Sequence, residues 1–278
     1  MKNKILILGK GYIGERLHET LGWPISSQRI LQFDDVLSQI KKYKPKVIVN
    51  CIGHTGKSNV DDCELALDKT LSANTFIPIL LAEAAIRNNI KLIHLSSGCI
   101  YHYDYAKTKP ITENKTPDFY NLYYSRTKIY TENVLEQMAK RFNILVARVR
   151  IPLDNRPHPK NVLTKLIKYK RVIDIPNSTT YVPDFIAMLQ HLIKIDARGI
   201  YNTVNAGGLR YPRLLDIYRR YHPDFDYTKI SLKQLNLTRT NLVLSTKKLE
   251  QTGFKLRSIN EVLEECVKDY VRMEASSS

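Results

Sequence analysis

The 278-residue chain has no apolar run approaching the ~18 residues that a membrane helix requires. A bilayer-spanning protein is therefore not expected. The N-terminal run in "MKNKILILGKG" is broken by Lys10, too early for a signal peptide. It reads as the first buried strand of a cytoplasmic protein. Cysteine is scarce: Cys51, Cys63, Cys99 and Cys266 are the only four. None pair as C-x-x-C, and no His/Cys cluster has zinc spacing, so reduced thiols and no metal are expected. Acidic residues are the minority, 27 against 43 Lys and Arg, for a net charge of +16. That balance favours anionic partners. Helix-turn-helix, zinc-finger and glycine-aromatic RNA patterns are all absent, so no nucleic acid is expected. Phosphate-bearing small molecules account for the charge as well, and much of it reads as solvated surface. No internal repeat, low-complexity linker or second dinucleotide-binding unit is found.

What is present is an α/β rhythm. "KILIL" (4–8), "KVIVNCI" (46–52), "IKLIHLS" (90–96) and "NILVARVRI" (143–151) read as strands. Between them, "GYIGERLHETLG" (11–22), "FDDVLSQIKKY" (33–43), "DDCELALDKTL" (61–71), "TFIPILLAEAAIRNN" (75–89) and 119–142 read as helices. Continuous apolar strands alternating with helices predict a doubly wound parallel sheet of Rossmann type. From about Pro152 prolines cluster, and shorter helices are expected near 160–170, 183–195, 211–221 and 258–271. The expected division is a dinucleotide-binding domain over 1–151, mainly a substrate-binding lobe over 152–272 with some segments returning to the sheet, and a disordered tail over 273–278.

Gly9-Lys10-Gly11-Tyr12-Ile13-Gly14 is G-x-G-x-x-G between a strand and a helix. The first glycine permits the turn, the second lets a pyrophosphate approach and the third lets helix and strand pack closely. After the second strand such folds carry an acidic residue for the adenosine ribose. Here "ISSQRI" (25–30) has none. Ser26, Ser27, Gln28 and Arg29, with help from Lys10, suit a 2′-phosphate, which favours NADPH with NADH as the alternative. Tyr124 and Lys128 form Y-x-x-x-K, one face of a helix at i, i+4. An ammonium beside a phenol stabilises the phenolate and makes the tyrosine a usable acid near neutrality. Ser97 follows the strand that ends near Leu95, at the carboxyl edge where a hydroxyl can hold a substrate carbonyl, with Ser96 as its rival.

In this order the glycine loop, hydroxyl and Y-x-x-x-K resemble the extended, sugar-nucleotide branch of the short-chain dehydrogenase/reductase superfamily, over most of the chain. The resemblance places Cys51 and Gly53, in "NCIGHTGKSNVDDCE" (50–64), in a turn beside the cofactor, and Asn74, in "SANTF", on a helix lining the site. It gives Tyr124 and Lys128 contacts with the cofactor as well. "GHTGKSNVDDCE", "SSGCIYHYD", "YYSRTK", "RVRIPL" and "KRVIDIPNS" further resemble the bifunctional UDP-4-keto-6-deoxy-D-glucose 3,5-epimerase/4-reductase family of UDP-L-rhamnose synthesis, related to dTDP-4-dehydrorhamnose reductase.

That resemblance implies an NADPH-dependent enzyme acting on a UDP-sugar. Ser97, Tyr124 and Lys128 would reduce the C4 ketone, while Cys99 and Lys165 exchange the acidic C3 and C5 protons. Asn161, with Arg150 and Lys160, is a candidate for the UDP pocket. The substrate would come from a separate 4,6-dehydratase, and the long helix at 120–141 offers a homodimer interface. Three readings stay open on the residues alone. Cys99 could be a small buried hydrophobe, which leaves a reductase of dTDP- or UDP-4-keto-rhamnose. The fold could also serve a non-catalytic NADP-binding regulatory subunit. His54 and His102 are other candidates near the same edge, but the resemblance does not call on them.

Overall fold

The computed structural model describes residues 4–57, 59–105, 109–235, 238 and 240–276. Two compact units emerge. One comprises 1–100, 117–148 and 195–201, the other 101–116, 149–194 and 202–278. The division is interleaved rather than a single cut after 151. Segment 101–116 joins the second unit because the Ile111 N–H donates to the Val243 carbonyl (2.8 Å) and its carbonyl accepts from Ser245 (2.7 Å).

The first unit is built on a sheet whose strands are apolar because both faces are covered. Its early elements are β1 (Ile5–Leu8), α1 (Tyr12–Leu21), β2 (Ile25–Ser26), α2 (Phe33–Tyr43) and β3 (Val47–Asn50). A 3₁₀ segment (Val60–Leu65) leads into α3 (Leu67–Leu71), a π turn (Ser72–Phe76), α4 (Ile77–Arg87) and β4 (Lys91–Ser97). Then come α5 (Tyr123–Ala139) and β5 (Ile144–Val149). β1 and β3 pair in parallel with Leu8 opposite Asn50, and Asn50 lies opposite His94 of β4. The carboxyl ends of these strands therefore emerge together. Counting β6 (Pro152–Leu153), β7 (Arg171–Ile173), β8 (Thr180–Tyr181) and β9 (Gly199–Asn202) in chain order, the sheet runs β2-β1-β3-β4-β5-β9. Strand order reverses between β1 and β3, the switch point at which doubly wound sheets take ligands. Val36 of α2, Leu81 and Ala84 of α4 and Leu135 of α5 share one core with Leu6, Ile48, Leu92 and Val146.

Local chemistry sets the element ends. At α2 Asp35 accepts from the Gln32 N–H (3.1 Å), and the last turn carries Lys41 and Lys42, which suits the helix dipole. The single helix expected at 61–71 is broken instead. Asn59 caps the 3₁₀ segment by accepting from the Asp61 N–H (2.8 Å), and Ala66 leaves helical geometry at φ −144°. The helix expected from 119 starts at Tyr123, because the Asp118 and Phe119 N–H groups both donate to the Ile100 carbonyl (3.1 Å).

The second unit contains α6 (Val162–Tyr169), α7 (Val182–Lys194), α8 (Tyr211–Tyr221), β10 (Thr228–Ile230), α9 (Leu232–Leu235), α10 (Lys247–Glu250) and α11 (Leu263–Ala275). Two parallel strand pairs, β7 with β10 and β6 with β8, accompany a core drawn from α6, α8 and α11, including Leu166, Leu215 and Val267. The last helix starts at Leu263 rather than near 258, since the Ile259 N–H donates to Ala206 (2.9 Å). Met273–Ala275, expected in a disordered tail, complete α11, while residues 277–278 lie outside the described residues. No helix among the described residues is long and apolar enough to cross a membrane.

Candidate active site

The three glycines of the first turn have three different surroundings. Gly9 adopts φ +105°, and a Cβ there would fall 2.6 Å from the Ile52 nitrogen. A Cβ on Gly14 would overlap the Gly9 carbonyl oxygen and lie 3.4 Å from the Cys51 Cβ. At Gly11 a Cβ would meet nothing within 4 Å. The outer two glycines thus serve packing, whereas the middle one faces open space. Gly11 is also the N-cap of α1 and supplies no side chain to its first N–H groups, with Lys10 exposed beside it. Tyr12 and Ile13 form the first turn, half-buried. A helix N-terminus left open in this way attracts an anion. Behind it stands half-buried Cys51, whose thiol desolvation pushes up to about 12, so it packs as a neutral group.

The exit of β2 lies beside this turn because Ser26 pairs with Leu8. Ser26 is turned inward: its hydroxyl donates to Gln39 (2.6 Å) and accepts from the Gln28 N–H (3.2 Å). Gln28 is tied to Gln39 as well. Ser27 and Arg29 remain exposed, and no carboxylate occurs from 25 to 30.

Gly53 follows β3, and a Cβ on it would stand 3.4 Å from Asn74 Oδ1 and 3.7 Å from Lys128 Nζ. Asn74 lies in the π turn and is fully buried. Its Oδ1 accepts from the His54 N–H (2.8 Å), and its Nδ2 donates to the His54 carbonyl (3.0 Å) and to Thr127 Oγ1 (3.2 Å). Both N–H groups of the Asn74 side chain, expected to line the cofactor site, are thus bonded within the protein. Its amide braces the backbone just after Gly53.

Ser97, Cys99, Tyr124 and Lys128 are brought together where β4 meets α5. The Cys99 N–H donates to the Ser97 hydroxyl (3.1 Å), and the Ser125 hydroxyl donates to the Cys99 carbonyl (2.6 Å). Cys99 is half-buried, so its thiol is neither sealed in the core nor free on the surface. Tyr124 and Lys128 share the buried side of α5. Lys128 Nζ donates to the Leu95 carbonyl (3.3 Å). Burial lowers its ammonium to about 8, opposed by the Glu132 carboxylate. Ser96 is excluded as the rival hydroxyl, because it donates to Glu132 Oε1 (2.5 Å) inside the core.

Sequence reasoning missed Glu132 and Arg148. Both are 1% exposed, and Arg148 Nη2 and Nε donate to Glu132 Oε2 at 2.6 and 2.9 Å. An arginine inside the apolar run "ILVARVRI" was the available signal, since a buried charge requires a partner.

The second unit corrects two expectations. Asn161 caps α6: its Oδ1 accepts from the N–H groups of Leu163 (3.1 Å) and Asp154 (3.2 Å), and its Nδ2 donates to the carbonyls of Asp154 (2.8 Å) and Arg156 (2.9 Å). With its bonding capacity filled, it holds the 154–161 loop and has nothing left for a substrate. Arg150 is likewise buried, donating to Asn177 Oδ1 through Nη2 (2.8 Å) and Nε (3.0 Å) and to the Thr240 carbonyl. Lys165 lies on α6, half-buried, and Lys160 just before it donates its N–H to His158 (3.0 Å). Among the described residues no three His, Cys, Asp or Glu side chains are grouped to hold a metal.

The comparisons agree over nearly the whole chain. An Arabidopsis thaliana bifunctional dTDP-4-dehydrorhamnose 3,5-epimerase/dTDP-4-dehydrorhamnose reductase is 31% identical over 274 residues, covering 93% of this chain and 90% of that protein. A trifunctional UDP-glucose 4,6-dehydratase/UDP-4-keto-6-deoxy-D-glucose 3,5-epimerase/UDP-4-keto-L-rhamnose-reductase of the same plant is 29% identical over 94% of this chain. The chain spans 41% of that protein's length. The crystal structure of the L780 UDP-rhamnose synthase from Acanthamoeba polyphaga mimivirus superposes with a TM-score of 0.88 at 27% identity, covering 96% of this chain and 99% of the other. The family described as the RmlD substrate binding domain matches residues 4–272, and the chain belongs to it.

Proposed function

We propose that the chain converts UDP-4-keto-6-deoxy-D-glucose to UDP-L-rhamnose, epimerising carbons 3 and 5 and reducing the carbon-4 ketone with NADPH. The observation that supports the two-step reading is the tethering of Cys99. Its N–H rests on the Ser97 hydroxyl, and its carbonyl is held by Ser125, next to Tyr124. The Cys99 backbone is thus held between Ser97 and Ser125, and a thiol carried on it beside the reducing residues supports a second reaction on the same sugar. The names of the plant relatives, which pair 3,5-epimerase with reductase activity, agree with this reading.

The glycine loop, the open N-terminus of α1, Lys10, Ser27 and Arg29 form the binding edge for the dinucleotide. Bound there, NADPH supplies the hydride. Ser97 orients the ketone oxygen, Tyr124 donates a proton to it, and Lys128 stabilises the resulting phenolate. With its ammonium near 8, Lys128 is mostly charged at neutral pH, the form this role needs. Before reduction the ketone acidifies the C3 and C5 protons. The resemblance assigns the removal and return of these protons to Cys99 and Lys165, while the donors around the ketone oxygen carry the enolate charge. A separate 4,6-dehydratase supplies the substrate. That activity also appears in the name of the trifunctional relative.

The test is incubation with UDP-4-keto-6-deoxyglucose and NADPH in D₂O, followed by NMR of the sugar. UDP-L-rhamnose deuterated at C3 and C5 is expected. Cys99→Ser should lose deuterium incorporation while still reducing pre-epimerised UDP-4-keto-rhamnose. Reduction of that ketone with no exchange by the native protein would leave a reductase alone, with Cys99 as packing.

A further inference from the structure

The buried pair beneath the reduction site has no role in the chemistry above. Glu132 follows Lys128 by four residues, one turn along α5, and so shares its face. Its carboxylate accepts from Ser96 at 2.5 Å and from Arg148 at 2.6 to 3.2 Å. Ser96 adjoins Leu95, whose carbonyl receives Lys128 Nζ, and Ser97, the proposed ketone-binding hydroxyl. The pair therefore clamps α5 to both β4 and β5 at the level of the site. A merely structural clamp could be apolar, because buried ion pairs contribute little net stability over well-packed hydrophobes.

The groups around Lys128 give the pair a second task. From β4 come the Leu95 carbonyl and His94, which burial and the Lys128 charge hold well below the usual imidazole range, hence neutral. From the 3₁₀ segment comes Cys63, whose thiol burial raises and whose thiolate, once formed, also favours the Lys128 cation, second to Glu132. From the loop after β3 comes Gly53, and beside it the uncharged amide of Asn74. Among the described groups acting on Lys128, Glu132 is the one carboxylate. Arg148 holds it in place, since a guanidinium stays charged and requires an anion in a dry setting.

We propose that Glu132 is a positioning residue of the reduction site: the carboxylate that Ser96 and Arg148 fix beneath Lys128 keeps that lysine cationic, and with it the ability of Tyr124 to release a proton. The inference rests on the reading of Tyr124 and Lys128 given above. It predicts that the clamp sets the upper pH limit of reduction rather than only holding the fold.

The test compares the native protein with Glu132→Gln and with Glu132→Gln/Arg148→Gln. The double variant avoids leaving an unpaired buried guanidinium, so it folds where the single change fails. Two quantities are read: the basic limb of the pH profile for reduction of UDP-4-keto-rhamnose, and the titration of the Lys128 ¹³Cε resonance without substrate, assigned by its loss in Lys128→Met. Both are expected to move down, by about one pH unit in Glu132→Gln, the effect of removing a carboxylate one helical turn away at a moderate effective dielectric, and by less in the double variant, which also removes the Arg148 cation. Lower turnover with both midpoints unmoved would overturn the inference and make the pair structural only. Absence of turnover by the native protein would count against the proposed function alone, because the resonance titration still decides the part played by Glu132.

Discussion

Placing a methyl group at each of two glycines in the first turn should separate packing from cofactor approach. Gly14 has helical backbone geometry, so Gly14→Ala carries no conformational penalty of its own. Its new Cβ, however, falls well inside 3.0 Å of the Gly9 carbonyl oxygen. Restoring an ordinary C···O separation of about 3.3 Å requires a displacement on the order of 1 Å. Neither side yields readily. Gly9 sits at φ +105° with its α-carbon crowded by Cys51 and Ile52, and α1 rests on the same turn. Overpacking of this kind costs about 1–3 kcal/mol, a fall in Tm of roughly 3–10 °C for a domain of this size class. Gly11→Ala meets nothing within 4 Å. It loses only a weak N-cap preference, under about 1 kcal/mol. Its methyl nevertheless occupies the space through which a pyrophosphate must approach the N-terminus of α1, so NADPH affinity should fall at least about tenfold, equivalent to ~1.4 kcal/mol. Thermal denaturation with and without NADPH, together with titration of NADPH fluorescence, reads both effects. Native Tm in Gly14→Ala would refute the packing argument. Native NADPH affinity in Gly11→Ala would refute the assignment of the pyrophosphate to this turn.

Two further outcomes follow from buried polar groups. Asn74→Ala strips partners from the His54 N–H and carbonyl and from Thr127. It should cost about 1–3 kcal/mol in urea denaturation and weaken NADPH binding through the Gly53 loop; an unchanged midpoint would show that water replaces the amide without loss. Lys128 titrates near 8 in the folded protein against 10.5 when unperturbed. The unfolded chain therefore binds the extra proton between those values, and this group makes stability rise as pH increases through that window. The gain is on the order of 3 kcal/mol if the full shift is realised. Denaturation from pH 8 to 10.5 should show this rise in the native protein relative to Lys128→Met, and parallel curves for the two would sink it.

The parts of this protein that could be read in advance are those whose meaning is local. β1, β3, β4 and β5 are buried on both faces and read as mainly apolar runs, and α2 begins and ends where its caps say. Y-x-x-x-K and G-x-G-x-x-G translate directly into a helix face and a turn. The helix at 61–71 misled because its composition suits a continuous helix, whereas the Asn59 cap and the break at Ala66 divide it. Amides and charges were harder still. Asn74 and Asn161 have the same functional group, and nothing in the neighbouring residues says that one grips a loop 20 residues away while the other caps its own helix. Arg148 stands in β5 and Arg150 just past its end, yet one meets Glu132 and the other Asn177, partners that only the folded chain supplies. Such groups are buried on condition that a distant partner arrives, so each records a tertiary contact rather than a local preference. Buried next to a titrating lysine, the Glu132–Arg148 pair also sets an electric field. That is why the Glu132→Gln/Arg148→Gln comparison carries more weight than a stability measurement: an uncharged pair can preserve the packing, but it cannot preserve the charge beneath Lys128.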